Sequence, residues 1–184
     1  RCALEGIHEE MLQGDSANVE VLREIGVEIK TTDEGIETAM SVEPQGGTFD
    51  FNDISDTFLS LAAISPLLSS PLTINGIAHT RKQETDRVSA MASELRKIGQ
   101  EVEESEDQLH ITPNLNKLKN LAVDGVQIDT YKDHRFAMSF GILGCHDLLG
   151  NGATWLKIKD PNCCAKTFPE FFEELESVRR ISHK

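Results

Sequence analysis

A chain of 184 residues with 39% hydrophobic side chains holds about one ordinary domain, with enough apolar residues for a core. Its formal net charge of −13 argues against a nucleic-acid partner and against an anionic membrane surface. Apolar residues are spread throughout rather than confined to one block, and no run approaches the ~20 residues needed to span a bilayer.

Taken in chain order, the elements repeat. Residues 16–25 read as a helix that stops at Gly26, and "VEIKTTDEGIETAM" then alternates through an acidic turn as a hairpin. A second, nearly all-apolar helix, "TFLSLAAI", follows Asp56, and "PLTINGI" reads as a strand. Next comes "HTRKQETDRV", with charges of both signs at the mouth of a helix over 86–98. There Val88, Met91, Ala92, Leu95 and Ile98 share one face, and Gly99 ends the run. "QEVEESEDQLHITP" is again a hairpin, and Asp133 again precedes a buried helix, "HRFAMSFGIL". "WLKIKD" reads as a strand, and "KTFPEFFEEL" opens a last helix with a Thr167–Glu170 capping box around Pro169.

The repetition can be written as an overlay. "LREIGVEIKTTDEGIETA" from Leu22 lies over "LRKIGQEVEESEDQLHIT" from Leu95 without a gap, and "SDTFLSLAAI" over "KDHRFAMSFG". "GI" also recurs at Gly6-Ile7 and Gly76-Ile77. Two repeats, about 1–72 and 73–154, and the start of a third, 155–184, are expected. A closed arrangement would need three, and the chain begins Arg1-Cys2-Ala3, so the expectation is a C-terminal piece of a longer polypeptide.

Cys2, Cys145, Cys163 and Cys164 make no CxxC pair or zinc-ligand spacing, so they read as free buried or half-buried thiols in a reducing cytosol, with no metal. The chemistry lies at three expected helix entrances, each bearing a cation: Arg87, Arg135 and Lys166. A cation opposes the dipole at a helix N-terminus, whereas the same place suits a bound phosphate or carboxylate. One such Arg is ordinarily a solvated side chain or a salt-bridge partner; three at equivalent places favour a shared anion site. Asp56, Glu84 and His134 stand beside them as candidate proton carriers, although Asp56 alone reads first as an N-cap.

The stretches "QETDRVSAMASELRKIGQEVEESED", "DTYKDHRFAMSFGILG" and "DPNCCAKTFPEFFEEL" closely resemble the C-terminal part of the enolpyruvylshikimate-phosphate synthase family, the glyphosate target. The likeness covers nearly all of 4–177 and is weakest around 114–127. It implies an α/β fold, an inside-out barrel lobe of βαβαββ repeats with helices inside and sheets outside. It also implies transfer of the enolpyruvyl group of phosphoenolpyruvate to the 5-hydroxyl of shikimate 3-phosphate, in the cytoplasm, with no cofactor. Two polyanionic substrates would explain local cations in an acidic chain.

By the same resemblance, Arg87, Arg135 and Lys166 match phosphoenolpyruvate contacts, and Asp56 matches the aspartate that holds the 5-hydroxyl. Glu84 matches the glutamate of proton traffic at C3, and His134 the histidine beside it. His79 and Gln83 fall on shikimate 3-phosphate positions but depart from the usual Asn and Lys. Gln83 can donate hydrogen bonds but carries neither charge nor a titrating proton; either Lys82 beside it replaces the missing cation or this chain has a different balance of cations. The implied partner is the missing N-terminal lobe, without which the chain is expected to be inactive. The competing classes are a non-catalytic lobe that binds a phosphorylated metabolite and a sugar-nucleotide enolpyruvyl transferase.

Overall fold

The computed structural model describes residues 2–6, 14–40 and 42–182. Its strands form three sheets of the same plan, cut at different points. The middle sheet is the fullest. Strand β4 (Thr48–Asp50) pairs parallel with β5 (Leu72–Asn75), in register Phe49 with Ile74. Because parallel neighbours need a crossover, the connection runs through helix α2 (Phe58–Ile64). Helix α3 (Arg87–Lys97) then leads into the hairpin β6 (Glu101–Glu104) and β7 (Gln108–Thr112), and β7 closes antiparallel on β5. The order β4-β5-β7-β6 is one whole βαβαββ unit.

The first sheet has the later part of this unit. Strand β1 (Cys2–Glu5), helix α1 (Asn18–Glu24) and the hairpin β2 (Val27–Thr31) and β3 (Gly35–Met40) give the order β1-β3-β2. The third has the earlier part: β8 (Val126–Ile128) crosses over through α5 (His134–Gly144) to a parallel β9 (Leu156–Ile158), followed by α6 (Phe171–Ser182). The gapless overlay in the sequence falls on α1 with its hairpin and α3 with its hairpin. The glycines it aligns explain why it needs no gap: Gly26 and Gly99 sit at φ 107° and 89°, where a side chain would be strained. Gly6 and Gly76 share φ values of 75° and 76°, while Ile7 lies outside the described residues. A periodic series can be cut at any phase. The sheets group the elements from β4, whereas boundaries near 72 and 154 cut the same period elsewhere.

Helices form the interior. Helix α2, with Phe58, Leu59, Leu61, Ala62 and Ala63 buried, packs on α5, in which Phe136, Ala137, Phe140 and Leu143 are buried. Small residues let the two helices approach, and Ser60 Oγ lies 3.3 Å from Ser139 Oγ across the contact. Helix α3 lies against α2, and α6 against α5. The hairpins stay outside: in β6 only Val102 is buried.

Helix α4 (Leu115–Ala122) was not expected from the sequence. Its cues are there, since Asn114 Oδ1 accepts from Lys117 N at 2.9 Å and Leu118 and Ala122 make one buried face. Two local expectations are corrected. The N-cap position of α2 is Thr57, whose hydroxyl donates to Ile54 O at 2.8 Å, so Asp56 does not cap that helix. Helix α6 begins at Phe171, beyond the expected capping box, because a 3-10 turn from Pro161 to Lys166 comes first and Thr167, at φ −130°, leaves helical geometry. Lys166 therefore closes a 3-10 turn and does not enter α6.

Candidate functional site

Every crossover or helix that follows a parallel strand starts at the same end of its sheet. After β4 comes Asp56; after β5, the 3-10 turn Ala78–Lys82 and then Gln83, Glu84 and Arg87; after β8, Asp133 to Arg135; after β9, Lys166. The carboxyl ends of parallel strands are where α/β folds gather ligand-binding loops. Here four connections bring together six of the eight residues singled out in the sequence, plus one that was not, Asp133.

Arg87 is the hub. It is the first residue of α3 and only 2% exposed, a buried cation at the wrong end of a helix dipole. Three carboxylates offset that cost. Its Nε donates to Asp133 Oδ2 at 2.7 Å and Nη2 to Asp133 Oδ1 at 3.4 Å. Nη1 donates to Asp56 Oδ1 at 2.9 Å and also to Gln83 Oε1, while Nη2 reaches Glu84 Oε2 at 2.9 Å. A guanidinium has five N–H donors, and these five contacts use them all.

Each carboxylate then reaches a second partner. Asp56 Oδ2 takes Arg135 Nη2 at 2.6 Å, with Arg135 Nη1 on the Asp56 carbonyl at 3.3 Å. Glu84 Oε1 accepts from Lys166 Nζ at 3.0 Å. Asp133, completely buried, caps α5 by accepting from Arg135 N at 2.9 Å. Three cations face three carboxylates, so the cluster is formally neutral.

Exposure sorts the cations. The Lys166 side chain is 65% exposed and that of Arg135 31%, so an arriving anion meets these two first. The ammonium of Lys166, and after it the residue's own backbone N–H, hold the Glu84 carboxyl down to about 2. Burial pushes the His134 imidazole below its usual range, against the pull of Asp133, whose Oδ1 is 3.8 Å from Nδ1. His134 is therefore neutral at neutral pH.

Outside the cluster His79 lies at the edge, while Gln83 joins the cluster on its exposed side. His79 is exposed and its Nε2 pairs with Ser55 Oγ at 2.8 Å, one residue before Asp56. Gln83 uses its carbonyl oxygen on Arg87, a role that a lysine could not fill, and Lys82 is exposed at the end of the preceding turn. The sequence did hold one signal for Asp133 as the partner of Arg87: the overlay aligns it with Asp56, and both accept from Arg87. Of the thiols, Cys164 is buried with Sγ 3.8 Å from His134 O, Cys145 and Cys163 are half-buried, and the Cys2 side chain is outside the described set. Among the described residues no group of three or more His, Cys, Asp and Glu is arranged to hold a metal ion. No described helix is long and apolar enough to cross a membrane. A separate cleft of about 830 Å³ between β8, β9, α5 and α6, lined by Trp155, Leu156, Phe172 and Leu175, includes none of the site side chains.

Comparison with known proteins agrees with this architecture. The 3-phosphoshikimate 1-carboxyvinyltransferase of Opitutus terrae is 52% identical over 171 residues, 93% of this chain and 35% of that protein. The protein of the same name from Nostoc punctiforme is 40% identical over 94% of this chain and 37% of its own length. Among solved structures, an EPSP synthase from Acinetobacter baumannii superposes with a TM-score of 0.70 at 20% identity, over 96% of this chain and 41% of that one. The enolpyruvyl transferase NikO from Streptomyces tendae follows at 0.56 and 15%, over 89% and 35%. These two share the fold, the inside-out α/β arrangement expected from the sequence. The chain thus spans little more than a third of the curated relatives it matches. The sequence profile of EPSP synthase (3-phosphoshikimate 1-carboxyvinyltransferase) matches residues 1–175, and the chain belongs to that family.

Proposed function

We propose that the protein to which this chain belongs moves the enolpyruvyl group of phosphoenolpyruvate to the 5-hydroxyl of shikimate 3-phosphate in the cytoplasm, releasing phosphate. The observation that carries this reading is the neutral cluster in which each solvent-facing cation is paired with a candidate proton carrier: Lys166 with Glu84 and Arg135 with Asp56. An anion that takes the cation frees the carboxylate. Electrostatics then couples binding to chemistry.

In this reading Lys166 and Arg135 receive the phosphate and carboxylate of phosphoenolpyruvate, and Arg87 joins them when Gln83 or Glu84 gives way. Glu84, relieved of Lys166, rises from about 2 toward the range in which it takes up a proton and delivers it to C3. Asp56 accepts the 5-hydroxyl proton as that oxygen bonds to C2. Collapse of the tetrahedral adduct reverses the C3 proton transfer and expels phosphate. His134, held toward its neutral form by burial, stands near Glu84 without adding charge. His79 and Gln83 flank the shikimate 3-phosphate side.

This chain supplies only part of such a site, and the remaining length of the family's proteins supplies the other lobe. The test is phosphate release from both substrates together. The full-length protein is expected to turn over, and the 184-residue chain alone to show none. A full-length protein that binds phosphoenolpyruvate in calorimetry but never releases phosphate would instead be a binding lobe. Turnover of a sugar nucleotide in place of shikimate 3-phosphate would identify the other transferase class.

A further inference from the structure

A second buried carboxylate lies on α3, seven residues after Arg87. Glu94 is 1% exposed, yet it does not belong to the cluster just described. Seven residues are about two helical turns, so Arg87 and Glu94 point to the same side of α3, about 10 Å apart along its axis. That side faces the connection from β8 to α5, residues 129–133.

Arg87 holds the end of this connection through Asp133. Glu94 holds its beginning. Its Oε2 accepts from the backbone N of Asp129 at 3.1 Å, and its Oε1 from the Tyr131 hydroxyl at 2.7 Å. Lys97 neutralises it, with Nζ at 2.9 and 2.7 Å from the two oxygens, and also bonds Asp129 Oδ2 at 3.0 Å. Lys159, next to β9, closes the ring on Asp129 Oδ1 at 2.7 Å.

What is held is a strained piece of chain. Tyr131 and Lys132 are the only described non-glycine residues with positive φ, 55° and 60°, and they are consecutive. Side chains with a Cβ avoid this region, and such pairs persist only where their surroundings impose them. The Tyr131 ring meets Phe136 of α5 edge-on at 5.4 Å, which ties its position to that helix. Burial, and then its bond to Glu94, push the Tyr131 hydroxyl upward, so it stays a donor. Directly after the strained pair come Asp133, His134 and Arg135.

We propose that Glu94 is a positioning residue for the anion site: by clamping Asp129 and Tyr131 it imposes the left-handed turn that aims Asp133, His134 and Arg135. Its kinetic consequence rests on the enolpyruvyl-transfer reading above. Its structural consequence does not.

The test uses the full-length protein with Glu94→Gln, which keeps size but puts an amide N–H where a second acceptor is needed. Hydrogen exchange across 129–135 should accelerate at least about tenfold while the hairpin β6–β7 is unchanged. KM for phosphoenolpyruvate should rise about tenfold and kcat/KM fall about 100-fold, the scale of a small misplacement. Tyr131→Phe, which removes only one hydroxyl, should move both in the same direction by less. Lys132→Asn, which favours the left-handed conformation, should restore part of the loss in Glu94→Gln. As a control for plain destabilisation, Leu118→Ala in the core should lower the melting temperature and leave KM alone. Unchanged exchange across 129–135, an unchanged KM, or no recovery with Lys132→Asn would each overturn the proposal. If the unsubstituted protein shows no transfer, the reaction assignment falls, and the exchange result alone decides whether Glu94 imposes the turn.

Discussion

Asp56 and Asp133 occupy the same place in two copies of one repeat, each in the connection from a parallel strand to its crossover helix. Both accept from Arg87. Beyond that they differ. Asp133 is fully buried, caps α5 and faces no solvent, whereas the Asp56 side chain is 37% exposed and gives its own helix cap up to Thr57. One repeat uses the aspartate to seat a buried arginine. The other leaves it half-exposed, shared between Arg87 and Arg135. A duplicated frame thus provides a buried, orienting carboxylate and a half-exposed one, the latter being the carboxylate proposed to meet the substrate.

The comparison breaks hardest at Asp133. Asp133→Ala leaves Arg87 buried with one main partner missing and α5 without its cap, and should cost about 3–5 kcal/mol in denaturant unfolding of the full-length protein. A loss below about 1 kcal/mol would mean that Arg87 does not depend on it.

Asp56→Asn keeps an acceptor for Arg87 but cannot take a proton. Stability should change by less than about 1 kcal/mol, while kcat falls roughly 100- to 10,000-fold. Equal effects of Asp56→Asn on stability and of Asp133→Ala on stability would erase the distinction between the two. Arg135→Ala should act mainly on substrate binding, raising KM for phosphoenolpyruvate about 10- to 100-fold, the value of a charge-assisted hydrogen bond. A normal KM would remove Arg135 from the anion site.

The smallest effect concerns Glu84 and Lys166. Because the folded carboxyl lies at about 2, below its ordinary 4.5, the pair stabilises the fold above pH 4.5, and that contribution fades as pH falls from 4.5 to about 2. Lys166→Met removes the larger part of the pull, so the melting temperature should depend less steeply on pH in that window. Both side chains are partly exposed, so the stability at stake is under about 1 kcal/mol. An unaltered slope would show that Lys166 does not hold Glu84 in solution.

Much of this was legible in the residues. The hairpins β2–β3 and β6–β7 announce themselves by alternation, an acidic turn and a glycine that must be left-handed, all local features. Arg87 and Arg135 were legible as an anomaly against the helix dipole, whereas the same argument placed Lys166 at a helix entrance that it does not occupy. Partnership was less so, because it is made by elements far apart in sequence: Arg87 finds Asp133 46 residues away and Lys166 finds Glu84 82 residues away. Asp56 misled as a cap because its local sequence suits one, and tertiary pairing with two arginines outweighed it. The start of α6 misled in the same way, since "TFPE" has capping-box residues but follows a proline-initiated 3-10 turn. Glu94 was hidden as an ordinary helix glutamate beside Lys97, a pattern that usually marks a solvated surface.

The most direct measurement is inorganic phosphate released from phosphoenolpyruvate by the full-length protein, with and without shikimate 3-phosphate. One phosphate per enolpyruvyl product, seen only with both substrates and abolished by Asp56→Asn, is the expected result. Release without shikimate 3-phosphate, or no release at all, would contradict it.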